Sequence, residues 1–86
     1  MNITVKELEA LTPDSFILYD IRSDTERLYG VIDGAEPIST DKLLNCPPQD
    51  KSRKLIVCCA RGKFSIDTAN SLRDMGYDAY SLEGGY

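Results

Sequence analysis

The strongest candidates in this chain for covalent chemistry are its three cysteines, Cys46, Cys58 and Cys59. Histidine is absent from the sequence, which removes histidine-based triads, histidine general bases and mixed cysteine–histidine zinc sites. Three cysteines alone cannot complete a structural zinc's tetrahedral set, so no metal is expected. Adjacent Cys58 and Cys59 cannot form a Cys-x-x-Cys redox pair, and a disulfide between neighbours is strained. Cys59 then has two readings, an activated nucleophile or a small buried hydrophobe, and its place between a strand and a helix favours the first. Cys59 closes the apolar run Leu55-Ile56-Val57-Cys58-Cys59 and is followed by Ala60-Arg61-Gly62-Lys63-Phe64-Ser65, after which the pattern turns helical. A loop that leaves a strand and enters a helix can converge successive backbone N–H groups on one point. The helix's free N–H groups and dipole add positive potential there. Gly62 allows the tight turn, and Arg61 and Lys63 contribute cationic charge that can attract an anionic donor. These features favour thiolate over thiol, so Cys59 is expected to titrate below the ~8.5 of a free cysteine. Period-two alternation sends Cys58 to the other face of the strand and into the core. Cys46, ahead of Pro47-Pro48, is read as incidental.

Such a loop needs a strand and a helix to hold it, and the chain supplies both. Lys54 to Cys59 is apolar on both faces, as an interior parallel strand should be. Ser65 to Met75 carries Ile66, Ala69 and Leu72 on one helical stripe, with Gly76 where a left-handed cap belongs. Ser15 to Ile21 and Asp78 to Leu82 read as further strands. Ile3 to Val5 and a segment near Ala35 to Ile38 read as very short ones. Val5, Leu8 and Leu11 repeat at helical spacing, and that helix stops at Pro13 and Asp14. Asp24 to Leu28 suggests a helical turn. Thr40 or Asp41 is the expected cap of a short helix that runs through Leu44 and ends at Pro47-Pro48. Strands alternating with helices predict an α/β fold with a mostly parallel sheet and helices on both faces.

At 86 residues the chain has room for one core, so residues 1–86 are taken as one domain. Its hydrophobic fraction of 42% and charged fraction of 28% are ordinary for a globular protein. A net charge of -4 argues against nucleic acid or an anionic membrane as partner. The opening MNITVKELEAL has no apolar signal core, and no apolar run approaches spanning length. An odd number of cysteines suits free thiols, and a reducing, cytoplasmic location is the expectation.

Three segments, in order along the chain, resemble the rhodanese family. Cys59 to Ser65 reads Cys-x-x-Gly-x-x-Ser, with Leu-Ile-Val-Cys before it and Leu-Arg-Asp-Met-Gly-Tyr after the helix. Tyr19 to Ser39 is similar to the family's Asp-x-Arg, Gly-His-Ile-Pro-Gly-Ala and Ile-Pro segment. Tyr80 to Tyr86, YSLEGGY, matches the strand and double glycine ahead of the family's last helix. The resemblance implies a small rhodanese-like three-layer fold. It also implies a sulfurtransferase in which Cys59 takes up a sulfane sulfur as a persulfide and passes it to a thiol or cyanide. The implied donor is thiosulfate-like or a cysteine desulfurase persulfide, without a cofactor, and with fusion to or association with sulfur-carrier machinery as a further implication. Ala60, Arg61, Gly62, Lys63, Phe64 and Ser65 would form the anion-binding loop, whose length is that of the family's sulfur-handling members; related phosphatases have a longer one. Asp20 and Arg22 correspond to Asp-x-Arg and are read as fixing the end of the second strand beside that loop.

Two departures stand out. Val31 and Asp33 replace the usual His and Pro of Gly-His-Ile-Pro-Gly-Ala, and the chain ends at Tyr86, where the family's last helix would begin, as a truncated or continuing domain would. They leave a second reading in place: a catalytically inactive rhodanese-like module that regulates or docks. Phosphatase chemistry is disfavoured, because the position at which cysteine phosphatases hold a phosphate-clamping arginine is Ser65 counted from Cys59, or Phe64 counted from Cys58. Ser65 itself has two readings, a helix cap or a hydrogen-bond partner of the sulfur, with the cap favoured.

Overall fold

The computed structural model describes residues 2–21, 34–59 and 63–82. Its elements in chain order are β1 (Asn2–Ile3), α1 (Val5–Glu9), a 3-10 turn (Pro13–Ser15), β2 (Phe16–Asp20), β3 (Glu36–Pro37), α2 (Thr40–Asn45), β4 (Lys54–Cys58), α3 (Lys63–Asp74) and β5 (Ala79–Leu82). The strands form one sheet in the order β1-β5-β4-β2-β3, and every pairing among the described residues is parallel. β4 is central and pairs along its length with β2, from Phe16 with Lys54 to Asp20 with Cys58.

Alternation along β4 divides the core into two layers. Leu55 and Val57 point to the side covered by Leu43 of α2 and by Ala69 and Leu72 of α3. Ile56 and Cys58 point to the side covered by Leu8 of α1, with Ile3 and Leu82. Each fully buried aliphatic side chain contributes roughly 1.5–3 kcal/mol relative to exposure, so a strand buried on both faces is a strong organiser. This is the three-layer α/β arrangement that the alternating pattern predicts.

Local chemistry sets the boundaries. The strand expected over Ile3 to Val5 stops at Ile3, because Thr4 caps α1. Its hydroxyl accepts the Glu7 N–H at 3.1 Å, and the Glu7 carboxylate accepts the Thr4 N–H at 3.2 Å. This reciprocal box satisfies donors that a helix start leaves open. The cap of α2 is Ser39, whose hydroxyl accepts the Lys42 N–H at 3.2 Å, and not Thr40 or Asp41 as expected. Either residue type can cap, but Thr40 already has helical backbone.

Helix α3 begins at Lys63, two residues before the expected start. Its far end is closed by Gly76 at φ +96°, where the Gly76 N–H bonds the Arg73 carbonyl and the Tyr77 N–H bonds the Leu72 carbonyl, both at 3.0 Å. These are the two hydrogen bonds of a Schellman cap, completed by Leu72 and Tyr77 packing in one cluster. Arg73 reaches the sheet, its Nε donating to the Ala79 carbonyl at 2.6 Å, with its guanidinium 4.7 Å from the centre of the Tyr80 ring. Lys54 pairs with Asp78 at 2.8 Å across the starts of β4 and β5.

Candidate functional site

In open parallel sheets the ligand crevice lies beyond the carboxyl ends of neighbouring strands whose connections depart in opposite directions. The order β1-β5-β4-β2-β3 has one such place among the described strands. From β2 the chain moves outward to β3, and from β4 it moves the other way to β5. Asp20 ends β2 and Cys58 ends β4, as register partners, and Cys59 is the next residue. The switch between β2 and β4 therefore opens at Cys59.

The backbone around it is held firmly. The Ile21 N–H donates to the Cys58 carbonyl at 3.0 Å, and the Ile38 N–H to the Asp20 carbonyl at 3.0 Å. The first of these bonds fixes the peptide that leads into Cys59 against the end of β2. Asp20 is buried at 2% exposure, next to the thiol-bearing turn, where the resemblance puts a supporting carboxylate.

Cys58 is fully buried within the α1-side layer, so the two adjacent thiols serve opposite sides of the sheet. Cys59, at 4% exposure, lies at the foot of α3, and its Sγ accepts the Ser65 N–H at 3.3 Å. Ser65 is the third residue of α3. Its N–H is one of the donors that a helix start cannot satisfy from within, and the sulfur accepts it. Burial opposes ionisation of a thiol, whereas a donated N–H and the helix's positive end favour the thiolate. The site thus combines a shielded sulfur with a backbone donor aimed at it, an arrangement suited to an anionic sulfur species.

Ser65 is not the cap of α3, because the helix starts earlier, and its hydroxyl is engaged elsewhere. Ser65 Oγ and Ser81 Oγ lie 2.6 Å apart, both buried. The buried stripe of α3 is Ser65, Thr68, Ala69 and Leu72, while Ile66, expected on it, is 38% exposed. An inventory of apolar residues misses this stripe because two of its positions are polar. Ser81 was not singled out from sequence either; the signal available was a hydroxyl within the otherwise apolar-facing strand Ala79–Leu82. Of the other loop residues, Lys63 and Phe64 are the first two residues of α3. Arg22, Ala60, Arg61 and Gly62 lie outside the described residues, as do Val31, Asp33 and the Asp24–Leu28 segment. Among the described residues no group of histidine, cysteine, aspartate and glutamate side chains is arranged to hold a metal ion. No described helix is long and apolar enough to cross a membrane.

Comparison with known proteins agrees with this architecture. A family model for the rhodanese-like domain matches residues 4–86. The chain is 33% identical over 88 aligned residues to a thiosulfate sulfurtransferase GlpE of Shewanella oneidensis, covering 99% of this chain and 87% of that protein. It is 32% identical over 80 residues to a tRNA sulfurtransferase of Desulfurococcus amylolyticus, of which it spans only 16% of the length. The crystal structure of a rhodanese-like domain protein from Staphylococcus aureus superposes with a TM-score of 0.82 at 31% identity, covering 99% of this chain and 87% of that one.

Proposed function

We propose a sulfur-carrying role from one premise: this chain belongs to the rhodanese-like domain family. Its relatives of that family bear the names of sulfurtransferases, which supports a rhodanese-type enzyme. The finer reading is that Cys59 carries the transferred sulfur as a persulfide. The Cys59 thiolate attacks the outer sulfur of a thiosulfate-like donor. A new S–S bond forms, the donor's own S–S bond breaks, and sulfite departs with the bonding pair, leaving Cys59-S-S⁻. An acceptor thiolate or cyanide then attacks the terminal sulfur, giving an acceptor persulfide or thiocyanate and restoring the Cys59 thiolate. Neither metal nor organic cofactor takes part. A persulfide on a cysteine desulfurase would serve the first step equally, as the donor expected of a chain that works beside sulfur-carrier machinery.

One observation supports this reading above the others: the Ser65 N–H donates to Cys59 Sγ from the first turn of α3. A persulfide remains anionic through both steps, and a backbone donor in a shielded site stabilises that charge without reorganising. Incubation with thiosulfate followed by intact-mass measurement tests it. The wild-type chain should gain one sulfur atom and Cys59→Ser none. Equal gain by both, or gain by neither, overturns the assignment.

A second reading, an inactive docking or regulatory module, is favoured by the 4% exposure of Cys59. Alkylation separates the two. An activated Cys59 reacts with iodoacetamide well below pH ~8, whereas an idle buried thiol resists until the chain unfolds.

A further inference from the structure

We infer that Ser81 is a positioning residue for the Cys59 chemistry: its hydroxyl anchors Ser65 and so keeps the Ser65 N–H on the sulfur. This rests on the reading of Cys59 as an activated thiol and extends it to a residue on a different element. The path is short. Ser81 Oγ lies 2.6 Å from Ser65 Oγ, and the Ser65 N–H lies on Cys59 Sγ at 3.3 Å. Both hydroxyls are removed from solvent, Ser65 at 0% exposure and Ser81 at 1%.

The surroundings make the hydroxyl at position 81 conspicuous. Alternation puts Ser81 on the same side of β5 as Ala79, and Ala79 packs with Leu55, Val57, Ala69 and Leu72. Its register partner on β4 is Val57. An apolar residue would fill such a position without cost, whereas a buried hydroxyl is unfavourable unless it is bonded. The bond it makes goes to the residue whose N–H meets the thiol. A serine pair is also small enough to let the first turn of α3 lie close against β5. Without the hydroxyl at 81, that turn loses a tether to the sheet at the place where helices fray. The N–H then spends less time within bonding distance of the sulfur, and the thiolate loses stabilisation.

The experiment is the pH dependence of iodoacetamide alkylation of the full chain, with modification at Cys59 read by peptide mass spectrometry. Exposed Cys46 serves as an internal reference in every sample. Ser81→Ala is expected to move the Cys59 midpoint upward by about one unit, roughly a tenfold loss of thiolate below the midpoint. The Cys46 profile should not move. Ser65→Ala breaks the same bond from the helix side and should give the same shift. The double variant should add little, because both changes remove one interaction. Ser81→Thr, which keeps a hydroxyl, should return part of the shift. A folded Ser81→Ala whose Cys59 profile superimposes on wild type overturns the role of Ser81 and leaves the function of Cys59 standing. If Ser81→Ala does not fold, an unshifted Ser65→Ala profile overturns it instead. A wild-type Cys59 midpoint no lower than that of Cys46 removes the premise, and the inference with it.

Discussion

At its carboxyl end α3 closes on itself, the Gly76 and Tyr77 N–H groups returning to the Arg73 and Leu72 carbonyls at 3.0 Å each. At its amino end the Ser65 N–H leaves the helix for a sulfur 3.3 Å away. The same helix therefore satisfies its backbone internally at one end and lends a donor to a sulfur at the other. The closed end is reinforced from outside: Lys51 Nζ donates to the Met75 carbonyl at 3.0 Å, and Arg73 ties the last turn to β5. Among the described residues the open end holds shielded groups, the Cys59 sulfur and the Ser65 and Ser81 hydroxyls. The contrast separates residues that hold the fold from residues that set the chemistry, and substitution can test that separation.

The largest effect belongs to the open end. Cys59→Ser should abolish thiosulfate-dependent sulfur loading while leaving the chemical-denaturation midpoint near that of wild type; retained loading would dissolve the distinction. On the buried stripe near the closed end, Leu72→Ala removes a side chain with 0% exposure and should lower unfolding free energy by about 2–5 kcal/mol. Its alkylation profile at Cys59 should stay in place at temperatures where the variant is folded. At the closed end, Gly76→Ala puts a Cβ on a residue at φ +96°, with its nearest neighbour Lys51 Nζ, the end of a long side chain, at 3.2 Å. Backbone strain, not crowding, then sets the loss at about 1–2 kcal/mol, again without moving Cys59 reactivity. A shift in the Cys59 profile of this variant would show that the two ends are coupled.

The smallest effect concerns the ion pair beyond the closed end. Burial pushes the Asp78 carboxyl upward, but hydrogen bonds from Lys54 and Tyr80 and the charges of Lys54 and Arg73 outweigh it, so its pKa is lowered. Lys54 is raised by its hydrogen bonds to Asp78 and Tyr80. A lowered carboxyl contributes stability above the usual carboxylate range and loses it as pH falls through the folded value. A raised ammonium contributes below the usual lysine range and loses it as pH rises through its folded value. Asp78→Asn should therefore cost at most about 1 kcal/mol near neutral pH, because the pair is partly exposed. The cost should vanish near pH ~2 and shrink in high salt, which denaturant titrations at the three conditions measure.

The sheet was legible from sequence because its signals are strong and local. Leu55 to Cys59 is uniformly apolar, so only a strand covered on both faces suits it, and Gly76 marks the helix end because few other residues accept its backbone. The position of Cys59 followed from these two. What sequence did not show depends on pairs distant in the chain. Ser65 looked like a cap because it precedes an apolar stripe, but its hydroxyl is matched by Ser81, sixteen residues on, and nothing local marks that partnership. Ile66 was assigned to the buried side for the same reason: a stripe that is half hydroxyl is invisible to a count of apolar residues. Ser39 displaced Thr40 and Asp41 as a cap because all three types suit the role and only the backbone decides among them.

The bond between Arg73 and the Ala79 carbonyl reaches beyond the closing of a helix. The Leu55 N–H takes the Asp78 carbonyl at 2.9 Å, so by alternation the Ala79 carbonyl faces away from β4. It lies ahead of the first pair that β1 makes with β5, Asn2 with Ser81. An extended segment from another molecule that sought to lengthen the sheet there would find this acceptor occupied and a guanidinium in its way. A charged side chain laid against a strand edge disfavours further pairing at that point, and here it comes from the same helix that meets the thiol.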